Sequence, residues 1–214
     1  MSADEVTVVY ATLDLPEARL KELARHLSED ERARAESFVF ARDRDRFVAA
    51  RGLLRELLAE TLSERPETLR FRYGKRGKPA LESQVLRFNM SHSHGRAAYA
   101  WSPEREVGID LERIRPVERA ARIAERLFSA GERDALETLN EKEREAAFFR
   151  AWTRREAQGK GTGEGLAGGG AAREGWMMRS LTPGPGYVAA LAVEGTGWQL
   201  MEGPWPIEGD GNER

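Results

Sequence analysis

Apolar residues follow two rhythms along this chain. From Val6 to Leu13 they alternate loosely in a β-rich run, which predicts a strand. Phe47, Ala50, Leu54, Leu57 and Leu58 recur at spacings of three and four, which predicts an amphipathic helix with one apolar stripe. Before it, Ser28 and Glu31 form a Ser-x-x-Glu capping box that opens a helix. Residues 73–84, with Gly74, Gly77 and Pro79, read as a loop. Residues 86–90 and 96–101 read as two strands around the turn SHSHG. VGIDLERI, residues 107–114, is a further strand that closes before Pro116.

The pattern then starts again. Ser129 and Glu132 repeat the capping box, Arg133 follows as Arg32 does, and Phe47 to Phe148 spans the same distance as Ser28 to Ser129. Each half runs through a long amphipathic helix into an alanine-rich strand, RAAYAWSPE and GYVAALAVEG. This predicts an α+β protein built as a pseudo-twofold duplication of one α/β unit, against chance likeness of helices rich in Glu, Arg and Ala. The lobes are residues 1–105 and 106–202, forming one intimate unit with a ligand cleft between them. Residues 203–214 are polar and rich in Gly and Pro and read as a disordered tail, and Gly168 to Gly170 as a flexible connector.

Composition narrows the classes. A chain of 214 residues, 33% charged and 40% hydrophobic, suits a globular protein with one sizeable core or two small lobes. A net charge of −2 gives no basic field for nucleic acid. With no cysteine there is no disulfide, thiolate catalysis or cysteine-bound zinc. No apolar run is long enough to span a bilayer, and the acidic start MSADEV lacks signal-peptide features, so no membrane partner and a cytoplasmic location are expected.

Three groups carry candidate chemistry. In the strand 107–112, Val107, Ile109 and Leu111 face one way and Gly108, Asp110 and Glu112 the other, with the two acids about 7 Å apart at the backbone. Such a pair raises a pKa or holds a cation, and oxygen-only ligands favour Mg²⁺ with substrate phosphate. The plainer reading is a solvated face paired with Arg113 or Arg115. In FFRAWTRREAQGKGTGEGL, Phe148, Trp152, Glu156 and Lys160 form one helical row, and Glu156–Lys160 is also an ordinary i,i+4 ion pair. Arg32, Arg34, Arg42, Arg44, Arg46, Arg51 and Arg55, with Lys75, Arg76 and Lys78, supply cations that, joined to Ser91 and His92, suit a ligand with several phosphates. His92 and His94 alone make a weak metal pair, and His26 reads as helix surface.

In order along the chain, Gly77-Lys78-Pro79, Phe88-Asn89-Met90-Ser91-His92-Ser93, Gly108-Ile109-Asp110-Leu111-Glu112 and Trp152-Thr153-Arg154-Arg155-Glu156-Ala157 with Lys160 resemble the 4′-phosphopantetheinyl transferases of the Sfp type. The resemblance implies that fold, with the site between two lobes. It implies transfer of phosphopantetheine from coenzyme A to a serine of an apo acyl or peptidyl carrier protein, releasing adenosine 3′,5′-bisphosphate. It implies Mg²⁺ on Asp110, Glu112 and Glu156. Coenzyme A is expected on Arg34, Arg46, Lys78, Pro79, Ser91, His92, Arg155 and Lys160, with His92 at its 3′-phosphate and Pro79 near the adenine. Glu156, or a water it orients, is the expected base, in competition with its role as ligand, and Lys160 the group that stabilises the leaving phosphate. The duplication favours a monomer and leaves a dimer open.

Three features depart from the family pattern. Arg155 stands where lysine is usual. Glu31 stands where some relatives carry a lysine. After Leu166 the second lobe has a shortened turn or lacks a strand. A coenzyme-binding or carrier-binding module without turnover, and a Mg²⁺-dependent phosphate-ester hydrolase, are the alternatives.

Overall fold

The computed structural model describes residues 2–74, 77–165 and 173–204. The first lobe holds β1 (Glu5–Thr12), α1 (Glu17–His26), α2 (Glu29–Glu36), α3 (Ala41–Leu62), a 3-10 turn (Pro66–Thr68), β2 (Phe71–Tyr73), β3 (Pro79–Leu81), β4 (Arg87–Ser93) and β5 (Arg96–Ser102). The second holds β6 (Val107–Arg113), α4 (Ala120–Leu127), α5 (Ala130–Glu137), α6 (Glu141–Thr162), β7 (Trp176–Leu181) and β8 (Tyr187–Glu194), and the described chain ends in β9 (Gln199–Pro204). The fold is mixed α+β. No helix among the described residues is long and apolar enough to cross a membrane.

Two sheets form the centre, one in the order β4-β5-β1-β9 and the other β6-β8-β7, with β2-β3 as a separate hairpin. Strand alternation divides their faces. Val6, Val8, Ala98 and Ala100 meet Val107, Ile109, Leu111 and Leu191 in a core shared by the two sheets. The other face of the first sheet carries Val9, Ala11, Phe88 and Tyr99 against Leu53, Leu54, Leu57 and Leu58 of α3. The other face of the second sheet lies directly under α6.

The repeated capping boxes both form, at the starts of α2 and α5. Each precedes a helix of 22 residues. α6 is capped by Asn140, whose side-chain oxygen accepts the Glu143 N–H, and stops at Gly163, where φ is 74°.

Several boundaries differ from the sequence expectation. The loop at 73–84 contains β3, paired with β2 from Phe71↔Leu81 to Tyr73↔Pro79. Three-residue strands give too short a pattern to stand out beside Gly and Pro. Gly203 and Pro204 lie in β9 rather than in a tail. β9 runs parallel to β1, so the end of the segment assigned to the second lobe completes the sheet of the first. Proline is tolerated there because β9 is an edge strand. Residues 205–214 and the connector Gly168 to Gly170 lie outside the described residues. In the first lobe residues 63–86, including the hairpin, separate α3 from β4; residues 163–175 separate α6 from β7, with no strand among those described.

Candidate functional site

The site starts from a packing choice. On β6, Gly108 lies so close under α6 that a β-carbon there would sit 2.0 Å from the Ala157 carbonyl oxygen and 2.3 Å from the Gly161 nitrogen. Gly161 in turn abuts the Trp176 ring, which an added β-carbon would meet at 2.5 Å. Ala157, Ala190 and Ala192 fill the rest of this contact. Small residues therefore let the helix backbone rest on the sheet. That approach carries Lys160 to Asp110, two residues beyond Gly108.

Asp110 is 4% exposed. Its Oδ1 accepts from Lys160 Nζ at 2.6 Å and from Ser91 Oγ at 2.9 Å, while Lys160 also donates to Ser91 Oγ at 3.0 Å. Its Oδ2 is buried with no hydrogen-bond partner among the described residues. Burial pushes the Asp110 pKa up, and the Lys160 charge and the hydrogen bonds from Lys160, Ser91 and the Leu111 backbone only partly offset it. Glu112 is raised by burial and by Asp110, against a hydrogen bond from Ser93 Oγ to Oε2 at 2.7 Å. Glu156 is raised by burial first, then by Asp110 and, more weakly, Glu112, with Lys160 pulling the other way. The three acids thus share one electrostatic neighbourhood around one lysine.

β4 supplies the third wall. Its alternation turns Asn89, Ser91 and Ser93 toward β6. Asn89 Oδ1 accepts the Ile109 N–H at 2.9 Å, and Ser93 Oγ accepts the Arg113 N–H at 3.3 Å. Side chains, not a backbone ladder, satisfy this edge of β6. Asn89 and Ser93 were not among the expected site residues; their i,i+2 spacing with Ser91 was the available signal. His92 faces the other way and is solvent-accessible. Its pKa is lowered, first by the protein mass around the ring and then by the Lys160 charge.

The remaining expected coenzyme ligands are placed as follows. Arg46 grips Asp14 through Nε and Nη2 at 2.7 and 2.9 Å, beside the turn at Gly95. Lys78 Nζ donates to Glu106 Oε2 and to the carbonyls of Val107 and Gly161, which ties the hairpin to the start of β6 and the end of α6. Pro79 is half-buried at the start of β3. Arg34 is exposed on α2, 5.4 Å from the Phe38 ring centroid. Arg155 departs most from expectation. It pairs with Glu132 and lies 5.2 Å from the Phe128 centroid, because its helical position turns it toward α5 rather than along the Glu156–Lys160 row.

Arg51 and Arg55 are not phosphate ligands in waiting either. Both are buried, and they hold Glu31, itself 2% exposed, through Arg51 Nε at 2.7 Å and Arg55 Nε at 2.6 Å. This also places the departure at Glu31: the carboxylate anchors its own lobe. Lys75 and Arg76 lie outside the described residues. His26 is half-buried and paired with Glu56 rather than being plain surface.

Whether the acids suit a divalent cation rests on Asp110. A buried carboxylate oxygen with no donor among the described residues fits a cation, and an all-oxygen set fits Mg²⁺. Among the described residues, no three Asp, Glu, His or Cys side chains are gathered into a ready-made cage.

Comparison with known proteins bears on this geometry. The 4′-phosphopantetheinyl transferase superfamily profile matches residues 106–183, and the 4′-phosphopantetheinyl transferase N-terminal profile matches residues 16–129. The 4′-phosphopantetheinyl transferase HetI of Nostoc sp. is 39% identical over 216 residues, covering 92% of this chain and 91% of HetI. The chain belongs to the 4′-phosphopantetheinyl transferase superfamily. Partial matches agree: psf-1 of Bacillus pumilus is 36% identical over 152 residues, covering 71% of this chain and 64% of psf-1. AcpT of Salmonella typhimurium is 43% identical over 104 residues, covering 48% of this chain and 53% of AcpT. The elements that carry the candidate site span both profiles, with β4 in the N-terminal match, α6 in the superfamily match and β6 in both.

Proposed function

We propose that this transferase moves 4′-phosphopantetheine from coenzyme A to a serine of an apo acyl or peptidyl carrier protein, with Mg²⁺, and releases adenosine 3′,5′-bisphosphate. The observation that carries the reading is the electrostatic neighbourhood of Asp110, Glu112, Glu156 and Lys160 beside Ser91, with one Asp110 oxygen buried and without a hydrogen-bond partner among the described residues. Asp110, Glu112 and Glu156 would hold the ion, which when bound neutralises charge on the pyrophosphate.

The carrier serine oxygen forms a bond to the phosphorus of the phosphopantetheine phosphate, and the bond from that phosphorus to the adenosine-side oxygen breaks. Glu156 accepts the serine proton, directly or through a water it orients. Its role as metal ligand competes with this one. Lys160 swings only as far as its Asp110 and Ser91 contacts allow and meets the charge on the leaving phosphate. His92 and Arg46 would bind the coenzyme, His92 at its 3′-phosphate, and Ser91, whose proton is held by Asp110, would contribute by holding that carboxylate in place. Lys78 and Pro79 border the cleft near the end of α6. A monomer suffices, since one chain supplies all of these groups.

The test incubates the protein with several apo carriers, coenzyme A and Mg²⁺, and weighs the carrier. A gain of one phosphopantetheine group, lost on chelation, is expected. Release of adenosine bisphosphate without any carrier would point to a hydrolase instead. No gain on any carrier, beside a working control transferase, overturns the reading.

A further inference from the structure

Two serines two residues apart on β4 face two acids two residues apart on β6. Ser91 Oγ donates to Asp110 Oδ1, and Ser93 Oγ donates to Glu112 Oε2. In each pair one carboxylate oxygen is tied to β4. Ser93 is 8% exposed and has no part in the chemistry proposed above. We infer that Ser93 is a positioning residue for the metal site: it locks the Glu112 carboxylate so that Oε1 is presented to the ion.

The hydroxyl is saturated. It has one proton and two lone pairs. The Arg113 N–H uses one lone pair at 3.3 Å, and His94 Nδ1 lies 3.1 Å away on the other side. With Glu112 ionised, the hydroxyl proton goes to Oε2, and the contact with His94 then has Nδ1–H as its donor. In that state the chain runs His94 Nδ1–H to Ser93 O–H to Glu112 Oε2. A serine in this setting fixes the carboxylate without adding charge to the site. Asp110 has a second anchor in Lys160, but among the described residues Glu112 has no lysine hydrogen bond, so the orientation of Glu112 depends more heavily on its serine. Groups that orient a metal ligand in this way commonly alter metal affinity by about 10–100-fold when removed.

This inference rests on the metal role given to Glu112 above. The test therefore measures Mn²⁺ binding, as a spectroscopic substitute for Mg²⁺, by electron paramagnetic resonance in the presence of coenzyme A and without carrier. Wild type, Ser93→Ala, Ser93→Cys and Ser93→Thr are compared, each checked for its melting temperature. Ser93→Ala and Ser93→Cys, the second filling the space with a weak donor, are expected to bind Mn²⁺ about 10-fold more weakly. Ser93→Thr keeps the hydroxyl and should stay within about 2-fold of wild type. In parallel, the Mg²⁺ concentration for half-maximal transfer should rise in the same order, with kcat at saturating metal little changed. Unchanged Mn²⁺ affinity in a folded Ser93→Ala or Ser93→Cys overturns the role of Ser93 alone. Failure of wild type to bind Mn²⁺ overturns the metal reading, and this inference with it.

Discussion

The two lobes share one plan and use it differently. Each has a capping-box helix of eight residues followed by a helix of 22, laid on a sheet. In the first lobe Leu53, Leu54, Leu57 and Leu58 hold α3 above Val9, Ala11 and Tyr99, and the space between helix and sheet is filled with apolar bulk. Its tight contact goes elsewhere: Gly52 takes α1, where an added β-carbon would meet Leu23 Cβ at 2.5 Å. In the second lobe Gly108, Ala157 and Gly161 let α6 down onto β6. By the spacing of the repeat, Val9 and Ala11 occupy the strand positions that Asp110 and Glu112 occupy. Side-chain size thus separates the copy that is filled as a core from the copy that carries the candidate site. The close approach brings Lys160 to the acids, and the edge contact with β4 lets the first lobe contribute Ser91.

The largest test removes the acid from one lobe and its apolar counterpart from the other. Asp110→Ala should lower transfer by at least ~100-fold, with extra Mg²⁺ recovering little. Val9→Ala should cost about 2 kcal/mol of stability and leave kcat near wild type. Comparable activity loss in both would mean that Asp110 acts through the fold. Next come the glycines. Gly108→Ala and Gly52→Ala each overpack a tight contact and should cost about 1–3 kcal/mol in urea unfolding. Only Gly108→Ala displaces α6 from β6, so it alone should lose roughly 100-fold in kcat, the scale of a 1 Å misplacement. Equal kcat in the two variants would refute the claim that backbone contact sets the site.

A smaller effect separates the two capping boxes. Glu31 is buried, which raises its pKa, but Arg51 and Arg55 more than reverse this and hold it below the ordinary glutamate value. Its stabilising contribution is then complete above that ordinary value and is lost as pH falls through the depressed folded value. Glu31→Gln leaves two buried guanidinium groups without their carboxylate and should cost about 3–5 kcal/mol near neutrality. The gap to wild type should close on acidification, read from unfolding curves at several pH values. The equivalent change at the half-exposed Glu132 should cost about 1 kcal/mol or less. Equal costs would mean that burial does not distinguish the boxes.

Much of this comparison was visible in the order of residues. The repeat, the capping boxes and the two faces of β6 follow from local periodicity, and local periodicity survives folding. The acids and the Glu156–Lys160 row could be placed on their elements for the same reason. Asn89 and Ser93 share the i,i+2 spacing of Ser91, which puts them on its face of β4, but what they do depends on β6 arriving beside β4, a contact between segments that spacing does not encode. β9 was hidden because its pairing with β1 joins the two ends of the described chain. The arginines were the hardest. Arg51 and Arg55 share a charge and a helix with Arg46, and only burial against Glu31 separates these anchors from an arginine that pairs with Asp14 at the surface.

Arg155 gives the smallest expected effect and the finest distinction between the lobes. Alignment with the family motif puts it among the coenzyme ligands, next to Glu156. In the fold it is committed to Glu132 at the start of α5 and to the face of Phe128, as Arg51 and Arg55 are committed to Glu31. Arg155→Lys keeps the charge but gives up the planar contact with the ring, worth about 0.5–1 kcal/mol. A loss of that size in thermal unfolding is expected, with the KM for coenzyme A within about 2-fold of wild type. Arg46→Lys supplies the contrast, since Arg46 borders the His94 turn and is proposed to bind the coenzyme; it should raise KM with little change in melting temperature. If Arg155→Lys instead raised KM while leaving stability intact, the side chain would have to leave Glu132 when coenzyme binds, and the second lobe's capping box would be part of the coenzyme site.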